Sequence, residues 1–284
     1  MKVIVRSTMH GAISIVNAIA TGKGSALGIS LNVTAEVKVS EGQGIKFPCN
    51  KADKLINNIL HYTIPEDIID NNSISVKICS NIPSGWGLKS SSAVSNAVAL
   101  ACTKIATDEI DDNTVLESAV RASRDANVTV TGAYDDSTAC YFGGFVITDN
   151  YLCKLIRRER AQDGLVAIIF LPYLNQRANI YKLPMLSDLF LDAFKIAESG
   201  NYWKAMKMNG VLTSAAFSAN YEPILSAIEN GALSASISGN GPSVAAICYK
   251  DNVESIKAAF SKFKGNILVS PVNNEKASVE KLVG

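Results

Sequence analysis

The chain has 284 residues, 48% hydrophobic and 19% charged, with 27 Lys and Arg against 26 Asp and Glu for a formal net charge of +1. That length buries a full core, in one large domain or two joined lobes, and the near-neutral balance excludes a broad surface for nucleic acid or anionic membrane. The densest basic run, Arg157-Arg158-Glu159-Arg160, is broken by an acid and reads as a solvated turn, so any anion binding must be local.

Residues 2–7 read as the first strand. Residues 11–20, with Lys2 and Arg6 ahead and Ala18-Ile19-Ala20 at their end, imitate a signal peptide, but His10, Ser14 and Asn17 interrupt the apolar region, and no run approaches the length of a bilayer span. The Gly-rich stretch 21–28 reads as a loop. Alternation over 29–40 puts Leu31, Val33, Ala35, Val37 and Val39 on one face of a strand. A turn at 42–44, a short strand over 45–48, a helix over 53–62 and a strand over 74–79 follow.

This last strand delivers the chain into Pro83-Ser84-Gly85-Trp86-Gly87-Leu88-Lys89-Ser90-Ser91-Ser92-Ala93. The glycines let backbone approach a ligand, the serines add hydroxyls, and the helix that begins here offers unpaired N–H groups and the positive end of its dipole: a cradle for an anion such as phosphate. The helix is built from Ala93, Val94, Ala97, Val98 and Ala101, small residues that suit a central buried position.

A capping box, Thr114-Val115-Leu116-Glu117, opens a helix to about 126. Residues 132–144 read as a loop or short helix closed by Gly143-Gly144, and 145–148 as a strand leaving the first lobe. The second half holds an apolar strand over 164–171, helices over 186–198, 202–217 and 222–229, and two strands flanking Ser238-Gly239-Asn240-Gly241-Pro242-Ser243. A helix capped by Asp251 and a closing strand over 267–270 follow. The seam between lobes is expected near 150–160, dividing the chain into 1–155 and 156–284.

Six cysteines, Cys49, Cys79, Cys102, Cys140, Cys153 and Cys248, are widely spaced without a CxxC pair and read as reduced thiols of a cytosolic protein. With only His10 and His61, a zinc site or a Ser-His-Asp hydrolase has few parts to build from. The P-loop GxxxxGK[ST] and the dinucleotide fingerprint GxGxxG after a strand are both absent.

Three glycine-containing elements remain, in the order 11–28, 83–93 and 238–243. This arrangement resembles the GHMP kinase superfamily, whose second motif has the form P-x-x-x-G-L-G-S-S-A and whose third is a Gly-rich turn near the C-terminus. Lys89 replaces a glycine of the second motif and Ser92 an alanine. Within the superfamily, Gly11-Ala12-Ile13-Ser14-Ile15-Val16-Asn17-Ala18, Gly22-Lys23-Gly24-Ser25-Ala26-Leu27-Gly28-Ile29 and Gly132-Ala133-Tyr134-Asp135-Asp136 are similar to the archaeal-type shikimate kinase family. The resemblance implies an α+β, two-lobed GHMP-kinase-like fold, with an N-terminal ribosomal-protein-S5-like lobe that binds ATP and a C-terminal ferredoxin-like α/β lobe. It implies ATP- and Mg2+-dependent phosphorylation of the shikimate 3-hydroxyl in aromatic amino-acid synthesis, by a cytoplasmic enzyme without a nucleic-acid or membrane partner.

The resemblance also assigns residues. The family's base lies seven residues before a Gly-Gly pair, which selects Asp136, with Asp135 its neighbour and rival. A magnesium-binding acid eleven residues earlier falls on Asp125, and the hydroxyl ligand on Ser91 or Ser90. Residues 83–93, with Gly239, Asn240 and Gly241, are assigned to nucleotide. Lys89 is a source of positive charge near the phosphates or a solvent-facing loop lysine. The N-terminal lysine that assists the base in mevalonate-type kinases has no counterpart at His10-Gly11-Ala12-Ile13. Ser14, Asn17 and Lys23 are candidates for the acceptor hydroxyls. The acceptor carboxylate calls for an arginine, with Arg177 chosen among Arg6, Arg121 and Arg124.

Overall fold

The computed structural model describes residues 2–46, 53–107, 109–173 and 178–283. Pro48, Cys49 and Arg177, named above, lie outside them. In chain order the elements are β1 (Val3–Val16), β2 (Lys23–Glu41), β3 (Gly44–Lys46), α1 (Asp53–Thr63), α2 (Glu66–Asn71), β4 (Asn72–Ser80), α3 (Ser90–Ala106), α4 (Asp112–Asp125), α5 (Tyr134–Phe142), β5 (Phe145–Asp149) and β6 (Lys154–Glu159). There follow β7 (Leu165–Pro172), a 3-10 stretch Ile180–Leu186, α6 (Ser187–Glu198), α7 (Tyr202–Phe217), α8 (Glu222–Glu229), β8 (Ser234–Ile237), β9 (Val244–Tyr249), α9 (Val253–Phe260), β10 (Gly265–Pro271) and β11 (Ser278–Val283).

The described strands make two sheets. One has the order β11-β1-β2-β4-β3, with β5 pairing the first part of β2 and β6 pairing β5. The other has the order β10-β7-β9-β8 and is antiparallel throughout. With α6 to α8 between β7 and β8, and α9 between β9 and β10, the second sheet is a β-α-β-β-α-β ferredoxin-like unit. The architecture is therefore α+β, as the sequence implied.

Several expectations are corrected. Residues 23–28 are strand rather than loop: they open β2 and pair with the end of β1. Residues 11–16 and 24–29 are all buried, because helices from both halves of the chain pack on this end of the hairpin. A strand covered on both faces loses its apolar alternation, and with it the sequence signal. Arg157, Arg158 and Glu159 belong to β6 rather than to a turn, with Arg157 paired to Glu159. The division at 155 and 156 runs through β6, and β11 returns the chain to pair with β1. The strand over 267–270 is thus not the closing one.

The expected central helix is α3. Ala93, Ala97, Val98 and Ala101 have no exposed surface, and Ser7 Oγ on β1 donates to the Ala97 carbonyl at 2.6 Å. Its small side chains let it lie close on β1 and β2, with α1, α4 and α5 around it. That packing fixes where the first turn of α3 opens.

Candidate active site

One cavity of about 460 Å³ forms where five segments meet, one of them the stretch at Ala178 and Ile180. The end of β1 with the turn after it brings Ser14 and Asn17; the loop into α3 brings Gly85 and residues 87–92. The last turn of α4 and the loop into α5 bring Ser123 and residues 127–136 except Tyr134, and the turn between β8 and β9 brings Gly239, Asn240 and Gly241. A volume of this size suits a small-molecule site.

Backbone contact joins the two glycine turns. Gly87 has φ +75°, and a Cβ there would overlap the Ser238 carbonyl oxygen, so only glycine permits the approach. Ser238 Oγ donates to Gly87 O at 2.8 Å and Ser243 Oγ to Trp86 O at 2.5 Å. From the other side Asn17 Nδ2 donates to Gly239 O at 2.8 Å, while the Asn17 N–H donates to Asn209 Oδ1 at 2.9 Å. Each bond is worth only about 1 kcal/mol. Together they lock three distant segments of the chain into one wall.

The helix α3 starts without a side-chain cap, on Lys89 in the left-handed conformation (φ 66°, ψ 25°). Its first intrahelical bond runs from Ala93 N to Lys89 O at 2.9 Å, leaving the N–H groups of Ser90, Ser91 and Ser92 without intrahelical partners. These three residues line the cavity, which therefore holds the positive end of a long helix and unpaired amides.

Charge is concentrated in the same wall. Lys89 is buried; its Nζ lies 2.8 Å from Asp136 Oδ1 and donates to Ser14 Oγ at 2.8 Å. Burial alone would lower the lysine's pKa, but the charges of Asp136 and then Asp135 outweigh it, so the ammonium is held above its ordinary range. Asp136 Oδ1 has no hydrogen-bond donor besides that ammonium among the described residues. Asp135 is buried on the neighbouring position. Its Oδ1 accepts from Asn150 Nδ2 at 2.7 Å and its N–H donates to Asn150 Oδ1 at 3.0 Å. Burial, then the charge of Asp136, pushes the Asp135 carboxyl up to about 7, against the opposing pull of Lys89 and Asn150. The pair thus differs: Asp136 meets the cation and the cavity, and Asp135 is tied to the scaffold.

Most sequence-assigned residues come together here. Ser14, Asn17, Gly85, Gly87, Leu88, Lys89, Ser90, Ser91, Ser92, Asp136, Gly239, Asn240 and Gly241 line the cavity. Pro83, Ser84, Trp86 and Ala93 do not; Ala93 is fully buried beneath the helix start. Lys23 is corrected: it is absent from the wall, with Nζ 5.5 Å from the Phe194 ring centroid and 4.0 Å from Asp149 Oδ2. Asp125 is corrected too. It is exposed and accepts a hydrogen bond from Tyr62 OH, away from the cavity. The reason is helical phase. Successive helical residues turn by about 100°, so Asp125, two residues on from Ser123 on the cavity wall, points nearly opposite. An offset counted along the sequence does not carry that phase.

Sequence reasoning missed Ser123, Asn127 and residues 128–131 as cavity wall. It also missed Asn150, and it offered Arg124 only as a candidate for the acceptor carboxylate. Arg124 Nη2 donates to Thr131 O at 3.2 Å and to Asn150 O at 2.8 Å, strapping the loop that presents Asp135 and Asp136. The only available signal was the pair of glycine-bounded turns around α5.

Comparison with known proteins gives the family and the fold. Residues 51–144 match the GHMP kinases N terminal domain and residues 204–266 the GHMP kinases C terminal domain. The chain is 34% identical to the shikimate kinase of Methanobrevibacter smithii over 96% of this chain and 98% of that one. It is 36% identical to the shikimate kinase of Pyrococcus furiosus over 91% and 96% respectively. Among solved structures, a homoserine kinase from Cytophaga hutchinsonii superposes with a TM-score of 0.76 at 17% identity, covering 98% of this chain and 97% of that one. The L. major mevalonate kinase gives 0.73 at 15% identity, covering 95% and 96%. At such identities the solved structures speak for the fold alone.

Proposed function

The chain belongs to the GHMP kinases, and on that premise we propose that it transfers the γ-phosphoryl group of ATP to the 3-hydroxyl of shikimate, a step of aromatic amino-acid synthesis. The observation that carries the mechanism is that the Asp136 carboxylate and the open start of α3 face one cavity. The unpaired N–H groups of Ser90, Ser91 and Ser92 receive phosphate oxygens, and the turn at Gly239, Asn240 and Gly241 closes on the nucleotide from the other lobe. Asp136 accepts the proton of the acceptor hydroxyl as its oxygen bonds to phosphorus. Asn150 and Arg124 hold the helix start that aims it.

Magnesium neutralises charge on the β- and γ-phosphates when it accompanies the nucleotide. The donors that line the cavity fit a lightly held ion, with Ser91 supplying a hydroxyl and the phosphates and water the rest. Asp125 is not part of that set. Lys89 is the sole cation among the described cavity residues, and Arg177 is proposed for the acceptor carboxylate because its chain neighbour Ala178 lines the cavity. The residue types of the wall and the net charge of +1 suit a small-molecule enzyme, and the free thiols of Cys79, Cys102, Cys140, Cys153 and Cys248 suit a reducing compartment such as the cytoplasm.

The test is product analysis of ATP with shikimate. A phosphorus–carbon coupling that places a phosphate monoester on the C3 oxygen, with one ADP released per ester, supports the reading. ADP release without that ester, or an ester at another hydroxyl, contradicts it.

A further inference from the structure

We infer, on the kinase reading above, that Lys89 is a second catalytic group: its ammonium holds the Asp136 carboxylate in place and directs its remaining N–H at the phosphoryl group in transfer. The first sign is in the backbone. Lys89 adopts φ 66° at a helix start, a conformation strained for a residue with a side chain and one that glycine takes freely. The side chain is also only 5% exposed, and an ammonium is buried only at a large desolvation cost unless it is paired. A solvated loop lysine, the competing reading of the sequence, would show neither feature. Strain and desolvation together mark a group held in place for its charge.

The surroundings are built to receive it. Gly239 has φ +55°, and a Cβ there would lie 3.0 Å from Lys89 Nζ, so the third glycine motif leaves room for the ammonium as well as for backbone. Ser14 Oγ accepts both Lys89 Nζ at 2.8 Å and Gly239 N at 3.0 Å. Of the three ammonium hydrogens, one meets Ser14 and one Asp136; the third has no protein acceptor among the described residues. Ser14 has both lone pairs engaged, so its own O–H is likewise left to donate. Two donors on the wall beside a carboxylate call for an anionic oxygen as guest, next to the point where a hydroxyl loses its proton.

In the transfer, the acceptor oxygen forms a bond to the γ-phosphorus, and its proton passes to the Asp136 carboxylate. The bond from that phosphorus to the β,γ-bridging oxygen breaks, and its electron pair leaves on ADP. Lys89 neither gains nor loses a proton; it opposes the negative charge that the transferred group carries while both oxygens are partly bonded.

The experiment compares the parent with Lys89→Gly and Lys89→Met. Glycine suits the backbone at this position, so the first variant removes the charge and relieves the strain, and its melting temperature separates folding from chemistry. The second replaces the ammonium with an apolar chain of similar length. Turnover is expected to slow by a factor of about 100 or more in both, with KM for ATP within about threefold. Turnover within threefold of the parent, or a loss carried wholly by KM, overturns the inference. The comparison is made with whichever acceptor the parent turns over, so it decides the role of Lys89 even if that acceptor is not shikimate.

Discussion

Substituting Gly87 by alanine tests whether the two glycine turns are one structural unit. The backbone strain at φ +75° costs roughly 1–2 kcal/mol, and the new Cβ overlaps the Ser238 carbonyl, so the turns must separate. Separation breaks the bonds from Ser238 Oγ to Gly87 O and from Ser243 Oγ to Trp86 O, each worth about 1 kcal/mol. The sum, about 3–4 kcal/mol, lowers the melting temperature of a chain of this size by roughly 5–7 °C. Because the same displacement moves residues 239–241 away from the start of α3, KM for ATP is expected to rise tenfold or more. Gly85→Ala is the control: φ there is +80°, but a Cβ meets open space, so only the strain remains. Differential scanning fluorimetry with steady-state kinetics on both variants reads the difference. A Gly87→Ala protein that melts within 1 °C of the parent with unchanged KM refutes the reasoning.

Replacing Asp136 by asparagine is expected to slow turnover roughly 10²–10⁴-fold while nucleotide affinity, measured by calorimetry, stays within threefold; loss of ATP binding instead would move Asp136 out of the proton-accepting role. Asp135 gives a pH signature. Its folded carboxyl, pushed up to about 7, keeps its proton to higher pH than the unfolded chain does. The stability it contributes is therefore full below about pH 4 and is lost as pH rises toward 7, by at most about 1.4 kcal/mol per unit. Urea unfolding across pH 4.5–7.5 is expected to show a flatter curve for Asp135→Asn than for the parent, and parallel curves count against it. Lys23→Ala and Asp125→Ala, both off the cavity wall, are expected to leave kcat/KM within threefold. A tenfold loss in either restores that residue to the site.

What the sequence made legible was the part of the site carried by local backbone chemistry. Glycines at 85, 87, 239 and 241 and the serines at 90–92 announce turns and a helix start wherever they lie in the fold, and they line the cavity. Asp136 followed from family spacing, and the structure adds its partner. What the sequence hid depended on phase and on distant packing. Asp125 and Ser123 differ by two positions, which a linear offset treats as nothing and a helix treats as opposite faces. Lys23 sits in polar, Gly-rich sequence like its neighbours, and only the pairing of β2 with β5 turns it toward Asp149 and Phe194. The strand over 23–28 vanished from the pattern because both of its faces are covered. The role of Lys89 needed the fold most of all, since its partners Ser14, Asp136 and Gly239 come from positions 75, 47 and 150 residues away.

The most direct test of the central claim is the relative specificity constant for three acceptors, shikimate, homoserine and mevalonate, read by coupled ADP release under one set of conditions. The expected result is a preference for shikimate over either rival by a factor of about 100 or more, with turnover slowed about 100-fold or more by Asp136→Asn. A preference for homoserine or mevalonate, or shikimate turnover within about tenfold of the parent after the Asp136→Asn change, would contradict it.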